Sequence, residues 1–258
     1  MTKVGIVSLA TGSKYLEYWE AMISSFKAND MNFLNIKFYL LTDNVARAEE
    51  FCRLNQINSK IFPIPSHGWP EATLLRYQEI LAIKKFMTEE VCIYLDADMV
   101  IKADIVSKLT PSQWENGMAY IAHPGFWRPD GLAKVTFYLK YPNRILKDVI
   151  SKLKFGNLGS WERNARSTAY VPRKNRKIYV CGGVWMGRNQ HFFELIEKCS
   201  KGVEIDLKRN FVAIWHDESH LNKWFSDHGG TILTPAFCYD PTYPNLVSLP
   251  EYIRAVRK

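Results

Sequence analysis

The sequence predicts a single α/β domain with a mostly parallel central sheet flanked by helices, and three observations carry that prediction. Short β-branched, apolar runs alternate with segments of helical period through the first hundred residues. One of those runs, 91–95, is apolar without a break, as a strand covered on both faces must be. No repeat, low-complexity tract or linker divides the 258 residues, and a composition of 47% hydrophobic and 23% charged residues excludes disordered, collagen-like and coiled-coil classes. Strands separated by helices form right-handed crossover units, so the sheet is expected to be largely parallel.

The elements follow in order. Residues 4–9 are the first strand, and Thr11-Gly12-Ser13 turns the chain into a helix in which Leu16, Trp19, Met22, Ile23 and Phe26 recur at helical spacing. Residues 36–41 form a second strand closed by Thr42-Asp43-Asn44, and residues 60–64 a third, punctuated by Pro63 and Pro65. A helix over 71–87 leads into the central strand 91–95. The second half is less regular. Residues 117–122 are strand-like, 127–177 form a stretch broken by Pro129, Pro142, Pro172, Gly156 and Gly159, and 177–187 are strand-like around a Gly-Gly pair. Helices are expected over 191–199 and 216–225.

Net charge is +8, and it is uneven: residues 140–177 hold eleven basic residues against only Asp148 and Glu162, so the remainder is close to neutral. Such a segment is either a solvated face or a site for an anionic partner. The five cysteines are odd in number, widely spread and never form CxxC, which predicts reduced thiols. No run approaches the ~20 apolar residues of a membrane span. The start lacks the apolar segment and cleavage site of a secretory signal, so the expected location is cytoplasmic.

Three motifs could carry chemistry. Asp96 and Asp98 directly follow the apolar strand, two residues apart, where open α/β sheets bind ligands. Paired carboxylates there suit a hard divalent ion sharing a substrate's phosphates, although Asp is also a good turn residue. In Trp215-His216-Asp217-Glu218-Ser219-His220 the two histidines sit at i, i+4, but Asp217 stands where a zinc protease helix needs Glu. Asp217 or Ser219 could cap a helix; equally, carboxylates are the usual nucleophiles and charge stabilisers when a glycosyl centre turns cationic. Gly182-Gly183 does not fit a dinucleotide fingerprint and marks a bulge or a close backbone approach.

Together and in this order, these motifs resemble glycosyltransferase family 6, the family of the ABO blood-group transferases and α-1,3-galactosyltransferase. The run WHDESHLNK at 215–223 matches the family's most distinctive motif. Asp96-Ala97-Asp98, His123-Pro124-Gly125-Phe126, Ala169-Tyr170-Val171-Pro172, the small residues of 181–187, Thr234-Pro235 with Asp240, and Ala255-Val256-Arg257 also fit, so the resemblance spans residues 4–257.

The resemblance implies a GT-A fold, with a nucleotide-binding half over about 1–100 and a donor-sugar and acceptor half over about 101–258. It implies transfer of galactose or N-acetylgalactosamine from a UDP-sugar, with retention, to an oligosaccharide or glycolipid-type acceptor in α-1,3 linkage. By the same resemblance Tyr15 would stack on uracil beside Ala10 and Thr11, and Arg76 would reach toward the nucleotide and the aspartates. Asp96 and Asp98 would hold Mn²⁺, with Mg²⁺ as the alternative, and Arg257 would clamp the diphosphate. Cys181, Gly182 and Gly183 would line the donor sugar and Asp217 would bind its hydroxyls. Glu218 would be nucleophile or oxocarbenium stabiliser. His123, Trp215, Glu218 and Asp240 would meet the acceptor.

Three departures bear on this reading. Many bacterial relatives carry Asn at the two aspartate positions, whereas this chain keeps both acids and is expected to need metal. Cys181 replaces a larger residue of the vertebrate enzymes, and Glu251 stands where they place a lysine, leaving Arg254 or Lys258 to supply that charge. Gly183 should admit an acetamido group, so Gly183→Ala is expected to favour galactose. The basic stretch is expected to include a mobile loop that orders over the bound donor. The rival readings are a UDP-glucose or UDP-N-acetylglucosamine-using relative, a protein that only binds glycans, and a nucleic-acid-binding protein using 140–177. That stretch lacks aromatic interleaving, so no nucleic acid is expected.

Overall fold

The structure is a computed structural model describing residues 2–256. The chain opens with β1 (Val4–Ala10), α1 (Ser13–Asn29), β2 (Ile36–Thr42), α2 (Val45–Asn55) and β3 (Ser59–Pro63). Two short helices, α3 (Glu71–Leu74) and α4 (Arg76–Ala82), lead to the central strand β4 (Val91–Leu95). After β5 (Met99–Ile101) and β6 (Met118–Ala122) come the helices α5 (Gly131–Lys140) and α6 (Pro142–Phe155). The chain closes with β7 (Val180–Arg188), α7 (Asn189–Lys208), α8 (His216–His228), β8 (Thr231–Leu233) and β9 (Ile253–Ala255).

Seven strands form one sheet in the order β3-β2-β1-β4-β7-β6-β8, with β5 and β9 paired separately. Of the seven, only β7 runs against the rest, so the sheet is mostly parallel, as predicted. Strand alternation assigns the layers. Ile6, Phe38, Ile93 and Leu95 pack with α1 on one face, while Val7, Tyr39, Cys92 and Tyr94 pack with α4, α7 and α8 on the other. A single α/β domain results, and the antiparallel pairing of β4 with β7 joins its two halves into one sheet. All five cysteines are free and buried. Among the described residues no helix is long and apolar enough to cross a membrane.

The helix predicted over 71–87 is interrupted at Leu75 and ends at Ala82. Its buried residues Leu74, Tyr77, Ile80 and Ile83 repeat every three positions. An unbroken α-helix would rotate that row by about 60° per step away from the core, so tighter turns keep it inward. The helix predicted over 191–199 runs on to Lys208, with Val203 and Asp206 also buried. Helix α2 escaped prediction because only Ala48 and Cys52 of it are buried, too narrow a stripe to read. The largest difference lies in 127–177, where two helices replace the irregular stretch. Pro142 stands in the first turn of α6, where its missing N–H costs nothing, and Gly156 at φ 91° ends it.

Candidate active site

A cleft of about 360 Å³ opens beyond the ends of β1 and β4, lined by Thr11, Tyr15, His67, Trp69, Thr73, Arg76, Tyr94, Asp96 and Asp98. Sequence-predicted residues from three separate segments thus converge on one hollow at the switch point of the sheet. Ala10 closes β1 with its methyl buried in the core, which puts Thr11 on the cleft wall.

Arg76 is the hub. Its buried guanidinium lies 3.0 Å from Asp217 and 3.4 Å from Asp96, donates to the Gly182 carbonyl at 3.2 Å, and sits 4.7 Å over the Tyr94 ring. Burial opposes its charge, yet the facing Asp217 and Asp96 leave it firmly cationic. Asp96 in turn accepts from Tyr94 Oη at 2.6 Å. The two acidic motifs, more than a hundred residues apart in sequence, are therefore joined through one arginine.

Helix α8 delivers the second acidic pair. His216 opens it with φ +44°, a left-handed conformation that His tolerates better than most residues, and its ring packs against Trp69 at 5.1 Å. The turn brings Asp217 and Glu218 of the first helical turn inward. Glu218 accepts from the Gly182 amide at 2.7 Å and from Tyr179 Oη at 2.8 Å. A Cβ at Gly182 would stand 3.1 Å from that of Glu218, so glycine is what lets helix and strand approach. Burial pushes both carboxyls up, Asp217 to about 7 against the pull of Arg76 and Glu218 to about 7 against its two hydrogen bonds.

Gly183 faces the other motif. A Cβ there would lie 2.9 Å from Asp96 Oδ2 and 3.0 Å from Met99 Cε. A methyl added in Gly183→Ala would therefore press first on the Asp96 carboxylate and on Met99. Cys181 is buried and in contact with Cys238, whose thiol is pushed up by Cys181 and by burial.

The predicted acceptor residues divide. The His123 ring packs on Phe126 at 4.8 Å and on Tyr179 at 5.6 Å, so Tyr179 links it to Glu218. Burial lowers His123 to about 4, and the charge of Asp240 reaches it. Trp215 is half exposed at the start of α8, with its amide donating to Ser219 Oγ at 3.0 Å. Arg257 lies outside the described residues, but its neighbour Val256 donates to the Asp98 carbonyl at 2.8 Å. Of the two cations expected to replace a lysine at 251, Lys258 also lies outside the described residues. Arg254 is bound to Glu251 itself at 2.5 Å, so its charge is already matched.

Among the described residues no group of three or more His, Cys, Asp or Glu is disposed to hold a metal on its own. Two carboxylates on the wall of an open cleft would instead suit an ion that takes its remaining ligands from water and substrate phosphates.

Sequence reasoning missed Tyr179, Tyr94 and Asn222. Asn222 accepts from the Val180 amide at 2.8 Å and donates to the carbonyls of Val180 and Glu218, both at 2.9 Å, fastening α8 to β7 like an extra strand partner.

Residues 150–258 match the sequence model of glycosyltransferase family 6. Over 241 residues the chain is 24% identical to the O-antigen biosynthesis glycosyltransferase WbnI of Escherichia coli, covering 93% of this chain and 89% of that protein. It is 24% identical over 260 residues to human globoside alpha-1,3-N-acetylgalactosaminyltransferase 1, covering 95% of this chain but 63% of the relative. To rat histo-blood group ABO system transferase 1 it is 29% identical over 131 residues, 46% of this chain and 36% of that one. The chain thus spans less than two thirds of these mammalian relatives.

Proposed function

We propose, from the premise that the chain belongs to glycosyltransferase family 6 and is a glycosyltransferase, that it moves galactose or N-acetylgalactosamine from a UDP-sugar to a glycan acceptor, forming an α-1,3 linkage with retention. The observation that carries this reading is the Arg76 bridge, which ties the carboxylate wall of the cleft to Asp217, the neighbour of Glu218. Tyr15 offers an aromatic face for the uracil, and Thr11 flanks it. Asp96 and Asp98 would hold Mn²⁺ or Mg²⁺, which when bound neutralises charge on the departing diphosphate.

The chain's own residues do the rest. Arg76 orients Asp217 toward the donor hydroxyls and opposes the rise that burial gives its carboxyl. The Gly182 amide and Tyr179 hydroxyl hold Glu218 in one orientation, so that its carboxylate faces the anomeric carbon as the bond to the diphosphate breaks. As nucleophile or as ion-pair partner, Glu218 must be charged. The acceptor hydroxyl gives up its proton as its oxygen bonds to that carbon, and the proton leaves with the UDP. His123 and Asp240 border the acceptor side of Tyr179.

A UDP-release assay over UDP-galactose, UDP-N-acetylgalactosamine, UDP-glucose and UDP-N-acetylglucosamine, with Mn²⁺ or with EDTA, tests the proposal. Turnover of the first two, abolished by chelation and restored by Mn²⁺, is expected. Turnover of UDP-glucose alone would replace it with the glucose-using reading, and full activity in chelator would remove the metal from it.

A further inference from the structure

The α5–α6 hairpin wears its apolar side outward. On α6, Leu146, Val149, Ile150 and Leu153 recur at i, i+3, i+4 and i+7, the spacing of one helical stripe. On α5, Leu132, Val135 and Leu139 do the same. Those seven side chains are between 41% and 86% exposed. The residues buried on these helices are Phe137 and Asp148, and at about 100° per residue each lies on the side opposite its stripe.

Both buried residues converge on Arg128. Its guanidinium makes a two-pronged ion pair with Asp148, each contact 2.7 Å, and sits 5.6 Å over the Phe137 ring. Tyr138 Oη adds a bond to Asp148 at 2.8 Å. Farther along, Arg176 donates to the Phe155 carbonyl at 2.9 Å and holds the end of α6. Anchored this way, both stripes must face away from Arg128 and the body of the protein.

Six basic residues (Lys134, Lys140, Arg144, Lys147, Lys152 and Lys154) share the hairpin with a single acid, Asp148, which Arg128 already neutralises. On α6, Lys147 and Lys154 flank the stripe on one side and Lys152 on the other. We infer that the α5–α6 hairpin docks on the surface of an anionic lipid bilayer, its leucines entering the interface and its lysines meeting the headgroups. Charge selects this occupant over a second copy of the chain, since two hairpins face to face would bring six cations against six.

The docking also orients the site. Arg128 donates to the Gly125 carbonyl at 3.1 Å, and the His123 ring accepts from the Gly125 amide at 3.0 Å. The root of the hairpin therefore adjoins the acceptor side of the cleft, and the acceptor class that fits is a glycan on a lipid held in that bilayer. This last step rests on the proposed glycosyl transfer; the docking does not.

The test is sedimentation with vesicles of phosphatidylcholine and phosphatidylglycerol, beside vesicles of phosphatidylcholine alone, using the wild type, L139Q/L146Q/L153Q and K147E/K154E. The substituted side chains are exposed, so all three proteins should fold alike. The wild type should pellet with anionic vesicles and release in high salt, and each variant should lose at least about tenfold in partitioning. With soluble acceptor the leucine variant should turn over like the wild type, while transfer to a galactoside-headed lipid in the vesicles falls. A wild type that stays in solution, binding that ignores the leucines, or self-association that the leucine variant abolishes without vesicle binding would each overturn the inference. Were transfer absent in every assay, pelleting would still decide the docking by itself.

Discussion

The cleft and the α5–α6 hairpin break the ordinary sorting of residues in opposite senses. The cleft buries Arg76 and Asp217 and half-buries Glu218, groups that water would normally keep, while the hairpin exposes leucines that a core would normally claim. In the cleft each buried charge has a named partner, so the desolvation is offset by preorganised geometry. On the hairpin the ion pair with Arg128 faces inward and turns the apolar stripe out. In both places a polar contact decides the arrangement and apolar burial yields to it, which marks surfaces kept for a ligand.

That contrast can be broken at either end. Glu218→Gln keeps the shape but removes the charge, and turnover should fall at least about 10³-fold. Thermal stability should hold or rise in the same protein, because a half-buried carboxyl is lost. A loss below about tenfold would remove Glu218 from the chemistry. For the wild type, kcat/KM should climb through about pH 7 as the Asp217–Glu218 pair ionises, and a flat profile across neutrality would contradict the burial argument.

Arg76→Met leaves Asp217 buried beside no cation, which should cost about 3–5 kcal/mol in urea unfolding. The sign with pH is definite. Asp217 then titrates higher in the folded than in the unfolded chain, so the variant is spared in acid and loses stability as pH rises above the ordinary Asp range. A deficit that is the same on both sides of neutrality would mean that Asp217 is not the group left unpaired.

A smaller effect is expected for Gly183→Ala, where the new methyl displaces the Asp96 carboxylate. Turnover of UDP-galactose and UDP-N-acetylgalactosamine should drop together by roughly tenfold. A changed ratio with unchanged total would instead bear out the donor-selection role expected from the resemblance. The smallest belongs to the hairpin: Leu146→Gln should alter folding stability by no more than about 0.5 kcal/mol, as for any exposed site. A loss near that of a core leucine would show the stripe to be packed.

Much of this was legible in the chain. The apolar run ending at Leu95 put Asp96 and Asp98 at a strand end, and residues 216–225 are helical as their spacing implied. What eluded reading were contacts that only the fold creates. Tyr179 reaches Glu218 across 39 positions and Asn222 reaches Val180 across 42, and neither leaves a periodic trace. The hairpin shows the limit most plainly. Its leucines stand at helical spacing, yet periodicity cannot tell which side of a helix faces the core; that was settled by Arg128, twenty residues before Asp148.

The most direct measurement is the anomeric configuration of the product. Wild-type enzyme, Mn²⁺, UDP-N-acetylgalactosamine and a galactoside acceptor should yield, by proton NMR, a new α-anomeric signal, absent with Glu218→Gln, and a linkage to the acceptor's 3-position. A β-anomeric product would contradict a retaining centre built on Glu218, and α-product formed equally by Glu218→Gln would contradict the role assigned to the Asp217–Glu218 pair.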